Sequence, residues 1–326
     1  MRRSLAILTA LAAAAAATAG VANDGSFELA AGGLVLKQND AVEMVSEDLY
    51  VSTREVHVRY LFRNRTGRDV HTIVGFPLPN RTLSEFDADA TEWPTAFSTR
   101  VDGRPIALQV ERRAMVGEAD HAALLTGLGV PLVEGGGAVE AALAALAPAD
   151  RERLVALGVA RHPELAPEAV IPAWTVRETW YWEQVFPAGR DVVVEHSYQP
   201  ATGGTVVAQL ADPEHWDGEG AQAMIRRYCV DRRLLDAVRR GAARAGHGSA
   251  YDELRVGYVL RTGASWRAPI RDFRLVVDKG DPRNLVSFCG QGVRRVDSSR
   301  FEIRRRNWRP DRDLDILVMR PLFAAD

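Results

Sequence analysis

VSEDLYVSTREVHVRYLFRNRTGRDVHTIVGFPLP, residues Val45–Pro79, decides the fold class. Val56, Val58, Tyr60 and Phe62 recur at every second position, while His57, Arg59 and Arg63 fall between them. A period of two is that of a half-buried β-strand, because successive side chains point to opposite faces. The segment NRTGRD (64–69) then supplies turn chemistry and VHTIVGF (70–76) begins a return strand, so the stretch reads as a hairpin. Pro77 and Pro79 cannot donate to a ladder, and the second strand must end or reach a sheet edge there.

The same grammar recurs in STRVDGRPIALQVERR around an Asp102-Gly103 turn, and in TVRETWYWEQVFPAGRDVVVEHSYQP. It recurs again in ELRVGYVLRTG, IRDFRLVVDKGDPRNLVSF and RFEIRRRNWRPDRDLDILVM. Short strands cut by Gly, Pro and Asp predict an antiparallel β-sandwich, one or two, built from residues 23–116, 171–215 and 249–326. Two stretches break the pattern. Residues 117–170 are rich in Ala and Leu and cut by Gly135-Gly136-Gly137 and Pro148; Leu143, Leu146, Leu154 and Leu157 suit short helices, with Asp150 near the start of the last. In residues 216–248, Met224, Tyr228, Leu234, Leu235 and Val238 form a helical stripe with Asp231 as its N-cap and the arginines as a solvated face. Two helical insertions among strands give an α+β, mainly β, architecture.

At 326 residues the chain reaches the size at which a single core stops growing. Its 41 basic and 43 acidic side chains nearly cancel, which removes the electrostatic footprint of a nucleic-acid binder. The first 22 residues carry Arg2 and Arg3, then an apolar run, then Gly20-Val21-Ala22: the order of a secretory signal, cut after Ala22. A membrane anchor is the alternative, but the run lacks the length and flanking charge of a stop-transfer segment. The Arg2-Arg3 pair also fits an export route for folded cargo. No later segment is apolar enough to span a membrane. In an oxidising compartment Cys229 and Cys289 read as one disulfide; the alternative is two buried thiols.

Motifs of chemistry are scarce. There is no G-x-S-x-G elbow, since GHGSA (246–250) has the wrong spacing, and no phosphate loop or dinucleotide fingerprint. DADATE places Asp87, Asp89 and Thr91 like the start of a calcium loop, but Glu92 stands where the sharp turn needs Gly. DPEHWDGE gathers Asp212, Glu214, His215 and Asp217 without a second histidine or cysteine at ligand spacing, and reads as a turn leading into a helix. No catalytic residue, metal site or cofactor is therefore expected. The charge run Arg304–Trp308 reads as a solvated edge strand. The remaining cluster is aromatic: Trp174, Trp180, Tyr181, Trp182 and Phe186, with His196 and Tyr198 on the expected partner strand. Trp180 and Trp182 would share one face, Tyr181 and Glu183 the other. Such a strip can bind a sugar or acyl chain, with Glu183 and His196 as polar partners, or it can fill space between a sandwich and a helical insert.

The series NDGSFELAAGGLVL, VSEDLYVS, VRYLFRN, FPLP, WYWEQVFPAG, VEHSYQP, Tyr228-Cys229 and Phe288-Cys289-Gly290 resembles a family of secreted bacterial proteins known as domain of unknown function 4424. That resemblance spans nearly the whole mature chain and implies a periplasmic protein without assigned activity, so it transfers no catalytic residue. More loosely, the opening hairpin and NWRPDRDLDILVM are similar to the β-sandwich of the vault and inter-alpha-trypsin inhibitor domain. The Asp-x-Ser-x-Ser metal motif of the adhesion module that accompanies that domain is broken here, because Phe301 follows Asp297 and Ser299. The reading that results is a periplasmic, non-enzymatic binding or interaction module of the cell envelope. Its partner would be an envelope protein or a small-molecule ligand, with no nucleic acid. Two rivals stand beside it: a carrier whose helical insert lids a pocket lined by Trp180 and Trp182, and a hydrolase using Glu183 or His196.

Overall fold

A computed structural model describes residues 23–30, 33–83, 94–133, 137–205, 210, 212–245 and 250–322. The expected leader, DADATE, Gly135-Gly136 and Gly246–Gly248 lie outside the described residues. In the first part of the chain the strands are β1 (Gly25–Ala30), β2 (Gly33–Leu36), β3 (Val42–Ser52), β4 (Val56–Asn64) and β5 (Val70–Pro77). They continue with β6 (Arg81–Thr82), β7 (Thr95–Val101), β8 (Arg104–Pro105), β9 (Gln109–Val116) and β10 (Ala119–Asp120). Helices α1 (Ala122–Gly127), α2 (Ala138–Ala145) and α3 (Pro148–Ala156) follow. Then come β11 (Ala160–Arg161), β12 (Ile171–Pro172), β13 (Thr175–Phe186), β14 (Asp191–Gln199) and β15 (Gly203–Thr205). After α4 (Glu219–Arg227) and α5 (Arg232–Ala245), the chain ends in β16 (Tyr251–Tyr258), β17 (Ile270–Asp278), β18 (Leu285–Phe288), β19 (Arg294–Arg295), β20 (Arg300–Trp308) and β21 (Leu314–Pro321).

Alternation places the strands correctly, but the pairing differs from the hairpin reading. β4 lies in an eight-stranded sheet, β19-β20-β17-β3-β4-β14-β7-β8, whereas β5 lies in a second sheet, β10-β9-β13-β5-β1-β2, with β6 on β13. Residues 65–69 therefore arch between two sheets instead of closing a hairpin. Buried Asn64 sets the arch: its amide donates to the carbonyls of Arg68 and Phe186 at 2.8 Å each, and its Oδ1 accepts from Thr66 N at 2.8 Å. An Asn that binds its own following backbone redirects the chain. The true hairpin partner of β4 is β3. Likewise β13 and β14 are not partners: β13 pairs with β5 and β9, β14 with β4 and β7, and residues 187–190 cross between the sheets. Asp102 and Gly103 do form the expected tight turn, both at positive φ, as a two-residue loop between β7 and β8 requires. Among the described strands one pairing is parallel, β3 with β17, joining segments more than 200 residues apart.

A third sheet, β15-β16-β21-β18, and a two-stranded one, β11-β12, complete the architecture. One cluster of buried side chains joins the three larger sheets, so these strands form a single sandwich. From the eight-stranded sheet come Val56, Val58, Tyr60 and Phe62; from the second, Val74, Phe76, Trp182 and Phe186; from the third, Val256, Tyr258, Ile316 and Val318. The even-numbered side chains of β13 and the residues before it serve two cores. Trp182 and Phe186 enter the sandwich, while Val176, with Trp174 just before the strand, packs under Leu125, Val139, Leu143 and Leu154 of the helical insert. β21 is buried on both faces, because α4 and α5 cover Leu317 and Met319, and its sequence is correspondingly an apolar run. Asp231 caps α5, accepting from Leu234 N at 2.9 Å. Cys229, just after α4, is bonded to Cys289, just after β18. Among the described residues no helix is long and apolar enough to cross a membrane.

Candidate functional site

The aromatic residues singled out from the sequence surround a histidine. β14 alternates Val192, Val194, His196 and Tyr198 into the sandwich, and the rings of Phe76, Phe97, Trp182 and Tyr60 lie 4.8, 5.6, 5.7 and 5.9 Å from the His196 ring. Trp182 is buried, with its indole N–H on Gln184 Oε1 at 2.9 Å. Trp180 stacks on Phe97 at 4.7 Å and Tyr198 stacks on the same ring at 5.1 Å. Burial pushes the Tyr198 phenol upward. Trp174 is sealed in the helical insert, donating to Leu132 O at 3.0 Å. Glu183, with Tyr181, faces away from the sandwich and is exposed. The fold thus gathers Trp180, Trp182, His196 and Tyr198, but not Trp174 or Glu183. Helices α1–α3 cover Trp174 instead of forming a lid over Trp180 and Trp182.

His196 belongs to a buried polar chain the sequence did not signal. Its Nε2 lies 3.0 Å from Asp24 Oδ1 and its Nδ1 2.8 Å from Thr99 Oγ1. With Nε2 donating to the carboxylate, Nδ1 accepts from the hydroxyl. A hydroxyl–imidazole–carboxylate chain has the parts of a nucleophilic site, yet here the His196 and Asp24 side chains are 0% exposed, enclosed within the sandwich. Burial is the main influence on Asp24 and lifts its carboxyl above the ordinary range, against the pull of His196. Glu47 joins the cluster through a β-bulge. The β3–β4 register shifts between Met44 and Ser46, which moves the inward face from Val42 and Met44 to Glu47, Leu49 and Val51. Glu47 accepts from Asn23 Nδ2 at 3.0 Å, and burial pushes its carboxyl up to about 8, with the nearby Asp24 charge acting in the same direction. Opposite it, the Tyr60 and Tyr258 hydroxyls share a hydrogen bond of 2.8 Å across the sandwich.

Open space lies elsewhere. A cleft of about 740 Å³ runs where β17 and β20 of the large sheet diverge from β18 and β21 of the third sheet. Phe273, Phe288, Phe301 and Trp308 line it, with Ile303 and Leu314 between them, and Phe273 and Trp308 pack ring against ring at 4.4 Å. Both signs of charge stand around it: Arg305 and Arg312 beside Asp311 and Asp313. Asp313 is fixed by the Arg261 guanidinium at 3.0 and 3.2 Å, while the Arg305 guanidinium holds the carbonyl of Gln291. The Cys229–Cys289 bond borders the cleft and ties the end of β18, one of its walls, to the turn between α4 and α5. The run 304–308 is therefore only partly a solvated edge, because Trp308 and Arg305 turn toward this space. No periodicity announces the cleft, since its four rings come from strands that only the tertiary fold brings together. The turn of DPEHWDGE is the expected helix-leading one: Asp212 accepts from Glu214 N at 3.0 Å and from His215 Nδ1 at 2.9 Å. Among the described residues no three His, Cys, Asp or Glu side chains cluster for a metal.

A mainly β sandwich, tied by one disulfide, carrying helices on its periphery and an aromatic cleft at one margin, is the class these features define. Within it, the chain belongs to the family described as Domain of unknown function (DUF4424), which matches residues 22–317. No curated protein matches the chain. Among solved structures, the chain is similar to one from Legionella pneumophila described as a "putative nutrient binding protein". The two share 15% identity and a TM-score of 0.43, over 92% of this chain and 72% of that one.

Proposed function

We propose that this protein is an exported binding module of the bacterial cell envelope, without catalytic machinery, and that it takes a small, largely apolar ligand in the cleft beside the disulfide. The observation that carries the reading is the cleft itself: its volume falls in the range of small-molecule sites, with aromatic walls and a few polar groups at the margin. The charges around it, Asp231, Asp311 and Asp313 against Arg305 and Arg312, nearly cancel, which suits an uncharged ligand better than an anion or cation. The sealed state of the His196 chain argues against hydrolysis there. Export is supported by the leader-like residues 1–22 and by a disulfide, which persists in oxidising compartments.

Native mass spectrometry of protein released gently from the periplasm, before and after organic extraction, tests both parts. The expected result is recovery in the periplasmic fraction with a co-purifying species that extraction removes and that Trp308→Ala retains poorly. A ligand held equally well by Trp308→Ala removes the cleft as its site. A clean protein that binds no member of an apolar ligand panel overturns the carrier function, and cytoplasmic recovery overturns export.

A further inference from the structure

The residues that follow the expected cut are fully enclosed polar groups. Asn23 and Asp24 are both 0% exposed. Asn23 N donates to Thr262 Oγ1 at 2.8 Å, and the same hydroxyl donates back to the Asn23 carbonyl. The Asn23 side-chain amide donates to Glu47 Oε2 at 3.0 Å and to Leu260 O at 3.2 Å, and the Trp266 indole N–H holds the Asp24 carbonyl at 2.7 Å. An ordinary chain start frays in solvent. This one is clamped between the layers of the sandwich.

The clamp is short of donors. Three buried oxygens there have no hydrogen-bond partner: Asn23 Oδ1, Asp24 Oδ2 and Glu47 Oε1. Buried polar atoms are almost always satisfied, so three orphans on neighbouring groups require an explanation. A peptide N–H at position 23 offers one proton, already given to Thr262. A free amino terminus offers three, with a positive charge, beside two enclosed carboxyls and a single imidazole. We propose that the Ala22–Asn23 bond is a processing site whose cleavage creates a buried α-ammonium, received by Glu47 and the adjoining acceptors, so that the cut completes the core. The cut itself rests on the export reading; its structural consequence goes beyond it. The bond is hydrolysed by an external peptidase: water supplies the hydroxyl of the Ala22 carboxyl group and one proton to the Asn23 amine, and the carboxyl then releases a proton as the amine takes one up to become the ammonium.

The composition makes the test clean, because Lys37 and Lys279 are the only lysines. Lys37 is exposed, and the Lys279 ammonium is held by the carbonyls of Pro282 and Asn284. The mature protein is labelled with an amine reagent while folded and again in urea, and peptides are mapped. The expected result is a chain beginning at Asn23 whose α-amine reacts roughly 100-fold or more slowly than Lys37 until the protein unfolds, because only local opening exposes it. Glu47→Gln should raise the folded-state rate about tenfold or more. So should Gly263→Ala, which leaves the carboxylate intact but places a Cβ 2.6 Å from Asn23 Nδ2. If either variant fails to fold, a Gly-Ser extension ahead of Asn23 replaces it: the expected loss of several degrees in Tm should shrink in the Glu47→Gln background. A chain that begins elsewhere refutes the processing site, and an uncut chain in the cytoplasm also removes the export reading. A chain beginning at Asn23 whose α-amine reacts as fast as Lys37 refutes the buried ammonium alone. An extension that costs nothing, or costs the same in both backgrounds, refutes the role of Glu47.

Discussion

Extending the chain ahead of Asn23 makes position 23 an ordinary amide, and the stability of that protein should fall steeply with pH. Glu47 sets the slope. Buried beneath the β3 bulge, it has one donor from Asn23, an unpartnered Oε1, the Asp24 carboxyl as a neighbour, and the Tyr60 and Tyr258 phenols as the other titratable groups facing it. Both phenols are raised well above their ordinary value by burial and stay neutral throughout. The carboxyl moves from an ordinary 4.5 to about 8 in the folded protein, chiefly by desolvation. Because the folded value is the higher one, the folded state holds the extra proton. The contribution to stability is full below about pH 4.5 and is lost as pH rises through about 8. A gap of about 3.5 units, at about 1.4 kcal/mol per unit, gives a loss on the order of 5 kcal/mol across that window. Urea unfolding at successive pH values between 5 and 8 measures it. Glu47→Gln keeps an acceptor for Asn23, removes the titration and should flatten the curve. A slope that survives Glu47→Gln unchanged would refute the reasoning, and the burden would pass to Asp24, which burial also raises. In the protein that begins at Asn23, the ammonium favours the Glu47 carboxylate, so the slope should be shallower than in the extended form.

Replacing both cysteines with serine opens a loop spanning 60 residues and should lower stability by about 4 kcal/mol on the chain-entropy argument, read as a shift in the urea midpoint. The same change frees the end of β18, so ligand retention in the cleft should fall even where the protein remains folded. Trp182→Ala should behave as a core truncation, costing about 3–5 kcal/mol in unfolding measurements while leaving retention in the cleft unchanged.

What the sequence displayed plainly was each strand by itself. Alternation in β4 assigned Val56, Val58, Tyr60 and Phe62 to one buried face because side-chain direction is a local property of extended backbone. Asp231 could be read as a cap and Asp102-Gly103 as a turn for the same reason. Pairing is not local. The segment 64–69 has the composition of a hairpin loop and is an arch, since Asn64 spends its side chain on the carbonyls of Arg68 and Phe186, the second of them 122 positions away. The bulge that turns Glu47 inward shows in the sequence as a change of phase, apolar at Val42 and Met44 and then at Leu49 and Val51, and as a carboxylate at a position that simple alternation from Met44 would turn outward. Asn23 and Asp24 were legible as the residues beyond a leader, and nothing in a polar dipeptide says that Thr262, Trp266 and His196 will enclose it. The cleft was hidden for the same reason.

The disulfide and the proposed amino terminus act on one structure from two sides. Cys229–Cys289 joins the helices of the third sheet to the end of β18 and borders the cleft. Asn23 joins the start of β1 to the turn at Thr262 and to β3 of the large sheet. Leu260 links the two, since its carbonyl accepts from the Asn23 side chain and the residue also lines the cleft. Neither device can be complete before export on the reading proposed here: one needs oxidation, the other needs the leader removed. A chain still carrying its leader would lack the ammonium and the cross-link together, with Glu47 buried and its Oε1 unmatched. The two effects should therefore combine as separate terms, because the disulfide acts chiefly on the unfolded chain and the ammonium on a buried group of the folded one. Measuring the extended and mature proteins, each oxidised and reduced, separates them. Additive losses are expected, and a strong coupling would mean that both devices hold the same segment through Leu260.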